Sequence, residues 1–99
     1  MIYNGNMLSK ENAKQLGEIL KILSEKQKLA ILIFLKAKGG RSVGQIADHL
    51  EISFKATSKH LLRLTKERIL ARRYDGNFVL YEIAVSLPEP ARLIISHLL

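Results

Sequence analysis

The chain has 99 residues, no cysteine, 47% apolar and 25% charged residues, and a formal net charge of +7. That length gives one domain near the lower limit for a self-sufficient core, and the apolar content excludes a disordered tail. The missing cysteine excludes disulfide staples, thiolate metal sites and cysteine nucleophiles.

Met1 to Leu8 reads as an arm, and residues 9–99 as the folded domain. Met1 to Asn6 has no basic flank or apolar stretch of the signal-peptide kind. Ser9 is placed to cap a first helix whose apolar positions, Leu16, Ile19, Leu20 and Leu23, recur at helical spacing. Ser24 and Gln27 then form a candidate capping box for a second helix, Glu25 to Lys38. Its run from Leu29 to Leu35 is apolar on nearly every side, as a central core helix requires. The run is too short to span a bilayer, so a soluble intracellular protein is expected. Gly39 and Gly40 end this helix.

A third, short helix starts at Ser42, with Gln45 completing a capping box and Val43, Ile46, Ala47 and Leu50 facing the core. After the turn Glu51-Ile52-Ser53, Ser53 caps a fourth helix running to about Arg68. Two short helices joined by so tight a turn make a helix-turn-helix unit. Ile69–Tyr74 and Phe78–Ala84 read as strands on either side of Asp75-Gly76-Asn77, a strong hairpin signal. Ser86 with Glu89 suggests a box for a last helix ending at Leu99, although Pro90 fits its first turn poorly. The expected fold is mainly α with a β wing: five helices and a two-stranded hairpin between the fourth and fifth.

The charge is not spread evenly. Lys55, Lys59, Arg63, Lys66, Arg68, Arg72 and Arg73 stand against Glu67 alone, so residues 55–73 hold six of the seven net positive charges. A surplus gathered on one helix and its following strand is an electrostatic footprint for a polyanion. On the fourth helix Thr57, Leu61 and Leu64 share the inward face, while Lys55, Ser58, Lys59, Leu62 and Lys66 share the outward one, with Arg63 at its edge. An outward face of donors suits the major groove of duplex DNA. There Ser58 and Lys59 can meet base edges, and Lys55 and Arg63 can meet phosphates. Arg72 and Arg73 point to opposite faces of their strand, so at most one lies on the core side and one can reach the DNA backbone. A solvated lysine face, or a basic module docking an acidic protein, would carry the same charges. RNA is disfavoured, because aromatics are 6% and none forms a stacking platform on the basic face.

The stretch Ile52 to Ile83, with Ser53, Ser58-Lys59-His60-Leu61, Leu64, Gly76 and Tyr81, resembles the winged helix-turn-helix of ArsR-type transcriptional repressors. Leu23 to Leu35 resembles that family's preceding helix, with Lys28 in an arginine position. The resemblance implies a DNA-binding, homodimeric repressor of the prokaryotic cytoplasm, working at the nucleoid. Its DNA contacts would be Ser53, Lys55, Ser58, Lys59, Leu62, Arg63, Lys66, Arg72, Arg73 and Asn77. Dimerisation would use Leu16, Ile19, Leu20 and Leu23 with Leu93, Ile94, Ile95 and Leu98 of the last helix. Ser42 and Gly44 stand where metal-sensing members carry cysteines. No metal, cofactor or catalytic residue is expected: His49, His60 and His97 lack ligand spacing, and no nucleophile or phosphate-loop motif occurs.

Overall fold

Local capping and apolar periodicity divide the chain much as its sequence suggests. The computed structural model describes residues 10–99; the arm over 1–8 and the Ser9 cap lie outside them. Five helices, α1 (Lys10–Ser24), α2 (Lys26–Lys38), α3 (Val43–Leu50), α4 (Phe54–Lys66) and α5 (Ala91–Leu98), are joined by an antiparallel hairpin of β1 (Leu70–Asp75) and β2 (Phe78–Ile83) between α4 and α5. The core joins Ile19, Ile22 and Leu23 of α1, Ile31, Leu32 and Leu35 of α2, Ile46 of α3, Leu61 and Leu64 of α4, Ile69 and Leu70 at the wing, and Ala91 and Ile95 of α5. Among the described residues no helix is long and apolar enough to cross a membrane.

Two of the expected capping boxes form differently. Ser24 is the last residue of α1, and its hydroxyl donates back to the Lys21 carbonyl. Glu25 becomes the N-cap of α2, without a side-chain cap bond, because its carboxylate is taken by Lys28. The Ser86–Glu89 box does not form either, and α5 starts only at Ala91. A helix begun at Ser86 would need Glu89 in helical geometry just before Pro90, and would set the Pro90 ring against the Ser86 carbonyl. Glu89 pairs with Arg92 instead.

Helix α2 also departs from an all-round core helix. Lys28, Ile31, Leu32 and Leu35 are buried, whereas Ile33 is 52% exposed. Lys36 donates to the Ile95 carbonyl at 2.6 Å and ties α2 to α5. The Phe34 ring stacks on His49 of α3, with centroids 3.9 Å apart.

Helix α4 ends two residues earlier than expected, at Lys66. Arg68 takes φ +62°. Its N–H reaches the Thr65 carbonyl, and that of Ile69 reaches Leu64 at 2.9 Å. This is the Schellman arrangement, normally built on glycine; here an arginine occupies the left-handed position.

Candidate nucleic-acid interface

Ser42 and Ser53 build the helix-turn-helix from its two caps. Ser42 Oγ accepts from the Gln45 N–H at 3.2 Å while Gln45 Oε1 accepts from the Ser42 N–H at 2.9 Å, completing the box that opens α3. Glu51, at φ 57° and ψ 41°, turns the chain, and its N–H is held by the last carbonyls of α3. Ser53 Oγ then accepts from the Ala56 N–H at 3.0 Å and starts α4. The Ser53 hydroxyl oxygen is thereby engaged in capping, as Arg63 and Arg73 are engaged by Glu67 and Glu82.

The inner face of α4 is sealed. Thr57, Leu61 and Leu64 are fully buried, with the Thr57 hydroxyl donating to the Ser53 carbonyl. The outer face carries Lys55, Lys59, Leu62, Arg63 and Lys66, all exposed, and the half-buried Ser58. Arg63 pairs with Glu67 at 3.6 Å, whereas Lys55, Lys59 and Lys66 form no ion pair among the described residues. Free ammonium groups on an exposed helix are available to a ligand; a cation already paired must first leave its partner.

Besides its apolar inner face, α4 is joined to the rest of the fold by a polar clip that sequence spacing does not reveal. Lys28, 7% exposed, donates to Glu25 at 2.5 Å and to His60 Nδ1 at 3.1 Å. An ammonium only donates, so Nδ1 accepts and His60 is neutral with its proton on Nε2. Burial, and then the Lys28 charge, push the His60 pKa below the usual imidazole range, with Glu25 opposing. The Glu25 carboxyl is held below its ordinary value chiefly by the Lys28 hydrogen bond. His60 is thus a structural group on α4 and ties that helix to the start of α2.

The wing is held at its base. Asp75 pairs with Phe78 across a two-residue turn in which Gly76 takes φ +62°. Arg41, just before α3, bridges Tyr81 through reciprocal backbone bonds of 3.0 and 2.7 Å. This third short edge was not apparent in the sequence. Both wing arginines are exposed, and neither reaches the core. Arg73 pairs with Glu82 at 3.1 Å and passes over Gly40, where an added Cβ would stand 3.0 Å from its Nη2. Arg72, by contrast, makes no ion pair among the described residues. Asn77 is exposed at the tip.

Two exposed apolar residues share this surface. Leu62 is 69% exposed among the lysines, and Phe54, the first residue of α4, is 61% exposed. Sequence reasoning placed Leu62 here but missed Phe54, because its spacing of three, seven and ten positions from Thr57, Leu61 and Leu64 is that of the inward face; as the first residue of the helix it is exposed instead. The expected dimerisation residues on α1 and α5 divide. Ile19, Leu23 and Ile95 are consumed by the protomer's own core, Leu16 and Ile94 are half-buried, and Leu20, Leu93 and Leu98 are exposed. Among the described residues no three histidine or acidic side chains converge as metal ligands would.

A capped helix-turn-helix with a free cationic outer face and an anchored hairpin beside it defines a winged helix-turn-helix DNA-binding domain. The chain matches the bacterial regulatory protein arsR family over residues 25–72. It is 33% identical, over 72 residues covering 73% of each chain, to the HTH-type transcriptional regulator YgaV of Escherichia coli K12. The crystal structure of a predicted DNA-binding transcriptional regulator from E. coli superimposes with a TM-score of 0.76 at 30% identity, covering 96% of both chains. The same fold recurs in the homodimeric winged helix-turn-helix domain of Mb0332 from Mycobacterium bovis, with a TM-score of 0.74 at 23% identity over 99% of this chain and 86% of that one. The chain belongs to the ArsR family and is a DNA-binding transcriptional regulator.

Proposed function

We propose that the chain acts as a homodimeric repressor in the prokaryotic cytoplasm, laying α4 in the major groove and the wing on the flanking backbone. The observation that carries this reading is the outer face of α4, where Lys55, Lys59 and Lys66 are exposed and unpaired among the described residues. Ser58 and Lys59 read base edges near the helix N-terminus. Lys55, Lys66, Arg72 and, once it releases Glu67, Arg63 meet phosphates; Asn77 touches the groove beside the wing tip. The exposed Leu20, Leu93 and Leu98 on α1 and α5 give a second copy apolar surface to cover. A twofold pair then sets two recognition helices about 34 Å apart, on successive major grooves of an inverted repeat. The homodimeric Mb0332 domain supports the compatibility of this fold with such pairing. Bound at a promoter, the dimer would exclude polymerase.

Duplexes selected from a random library by the purified chain, titrated over a range of salt, test this. Each phosphate contact adds about −0.9 to the slope of log K against log salt. Lys59→Ala should lose the preference for selected over random duplexes, whereas Arg72→Ala should weaken both alike. Sedimentation should give a dimer. Equal, negligible binding of both duplexes at low salt, or a monomer at the concentrations where DNA is bound, would remove the reading.

A further inference from the structure

We propose that α4 reads thymine by apolar contact, with Leu62 and Phe54 each packing on the 5-methyl group of a thymine in the major groove. The inference rests on the placement of α4 in that groove and adds the base chemistry it selects. Leu62 and Phe54 are 69% and 61% exposed, so the protomer covers neither. They lie eight residues apart, about 12 Å along the helix, with Ser58 midway between them. Leu62 follows Lys59 by three positions and precedes Lys66 by four, so exposed lysines flank it on the helix surface.

That frame decides what can cover Leu62, and Phe54 continues the same line of side chains through Ser58 at four-residue spacing. An apolar protein surface would have to strip water from the neighbouring ammonium groups without supplying counter-charge. A polyanion supplies the charge, and along the major groove of ordinary duplex DNA the apolar feature at a base edge is the thymine methyl. Leucine and phenylalanine have no donor or acceptor to offer, so contact with that methyl is the only base discrimination they can provide. Lys59 and Ser58, on the same helix, supply the polar readout. The expected half-site therefore has thymines to either side of the position that Ser58 meets.

Operator duplexes selected by the full-length chain from a synthetic, unmethylated library allow a direct test. Each thymine is replaced in turn by deoxyuridine, which removes only the methyl and keeps the pairing. Affinity should fall roughly fourfold at one or two thymines per half-site, the worth of burying one methyl group. Leu62→Ala should abolish the loss at one of these positions and Phe54→Ala at another, each variant binding thymine and uracil duplexes alike. Both side chains lie outside the core, so both variants should fold, which their unfolding transitions would verify. Leu62→Lys is the second probe: it adds a phosphate contact, and should bind random duplex more tightly while losing the methyl dependence. If selected duplexes are bound specifically but no deoxyuridine substitution matters, or if the sensitivity survives all three substitutions, the methyl readout is refuted while groove binding stands. If no duplex is selected at all, groove binding fails and the methyl readout falls with it.

Discussion

The recognition helix and the wing carry the same kind of charge and use it differently. On α4 the outer lysines form no ion pair among the described residues, and the helix is held from the other side, by Leu61, Leu64 and the Lys28–His60 clip. On the wing Arg73 is engaged by Glu82, above Gly40, whereas Arg72 makes no ion pair among the described residues. A count of basic residues therefore overstates what the wing offers to DNA and describes α4 fairly. The physical reason is geometric. A helix can segregate a core face from a solvent face, whereas an exposed hairpin needs cross-strand pairs to hold its shape.

The largest effect expected from this contrast lies within α4 itself. Leu61 and Leu62 are neighbours in sequence, but Leu61 has no exposed surface and Leu62 is mostly exposed. Leu61→Ala should destabilise the fold by about 3 kcal/mol, the usual cost of a buried leucine truncation, while Leu62→Ala should stay within about 0.5 kcal/mol. Urea unfolding of the two variants measures both; equal costs would mean that the helix is rotated from the orientation described here.

Next in size is the difference between the two wing arginines. Arg72→Ala should reduce the salt slope of DNA binding by about 0.9 for each copy bound, the loss of one phosphate contact. Arg73→Ala should change the slope less, because its guanidinium is already engaged by Glu82. Its cost appears as a looser wing, worth no more than a few tenths of a kcal/mol of stability for so exposed a pair. Salt titrations of the two variants side by side distinguish them, and the reverse order of slopes would overturn the contrast between helix and wing.

The same comparison separates what was readable in the sequence from what was not. The two faces of α4, the Ser42 and Ser53 caps and the Gly76 turn rest on residues within a few positions of one another, and each formed as expected. The Ser24 box failed because α1 runs on through that serine, and the Ser86 box because Pro90 blocks the first turn. The exposure of Ile33 had no signal, since in a run apolar on all sides periodicity does not say which side faces water. Lys28 and His60 are 32 positions apart, and Arg41 and Tyr81 are 40 apart. Those contacts depend on how the helices dock, which local patterns do not encode. Which side chains of α4 face inward and which face outward was therefore accessible in advance, but the groups that hold α4 and the wing in place were not.

Arg68 offers a smaller test. It sits at φ +62°, in the left-handed position that closes α4, where a side chain costs roughly 1–2 kcal/mol relative to glycine. Arg68→Gly relieves that strain but makes the unfolded chain more flexible, which returns up to about 1 kcal/mol. The variant should gain about 0.5 kcal/mol or less in thermal unfolding. A clear loss of stability would show that the Arg68 side chain does more than occupy the turn.

The smallest expected effect is a pH dependence built into the support of α4. His60 accepts from Lys28 as a neutral ring, with its folded pKa below the ordinary imidazole value because of burial and the Lys28 charge. Between the folded and unfolded values the unfolded chain binds more protons than the folded one, so stability rises with pH through that window. The contribution is complete above the ordinary imidazole value, about 6.5, and is lost as pH falls from there toward the folded value. Glu25 follows the same sign in a lower window. Its carboxyl is held below the ordinary value by Lys28, so its contribution is present above the carboxylate range and lost as pH falls through the folded value. His60→Gln keeps an acceptor for Lys28 without a titrating ring, and should flatten the stability profile between about pH 7.5 and pH 5.5 while leaving the acid-side loss from Glu25. Denaturant midpoints for the two proteins across that range give the answer. If the wild-type profile is already flat there, or if His60→Gln leaves its slope unchanged, the clip is not what couples protonation to the seating of the recognition helix.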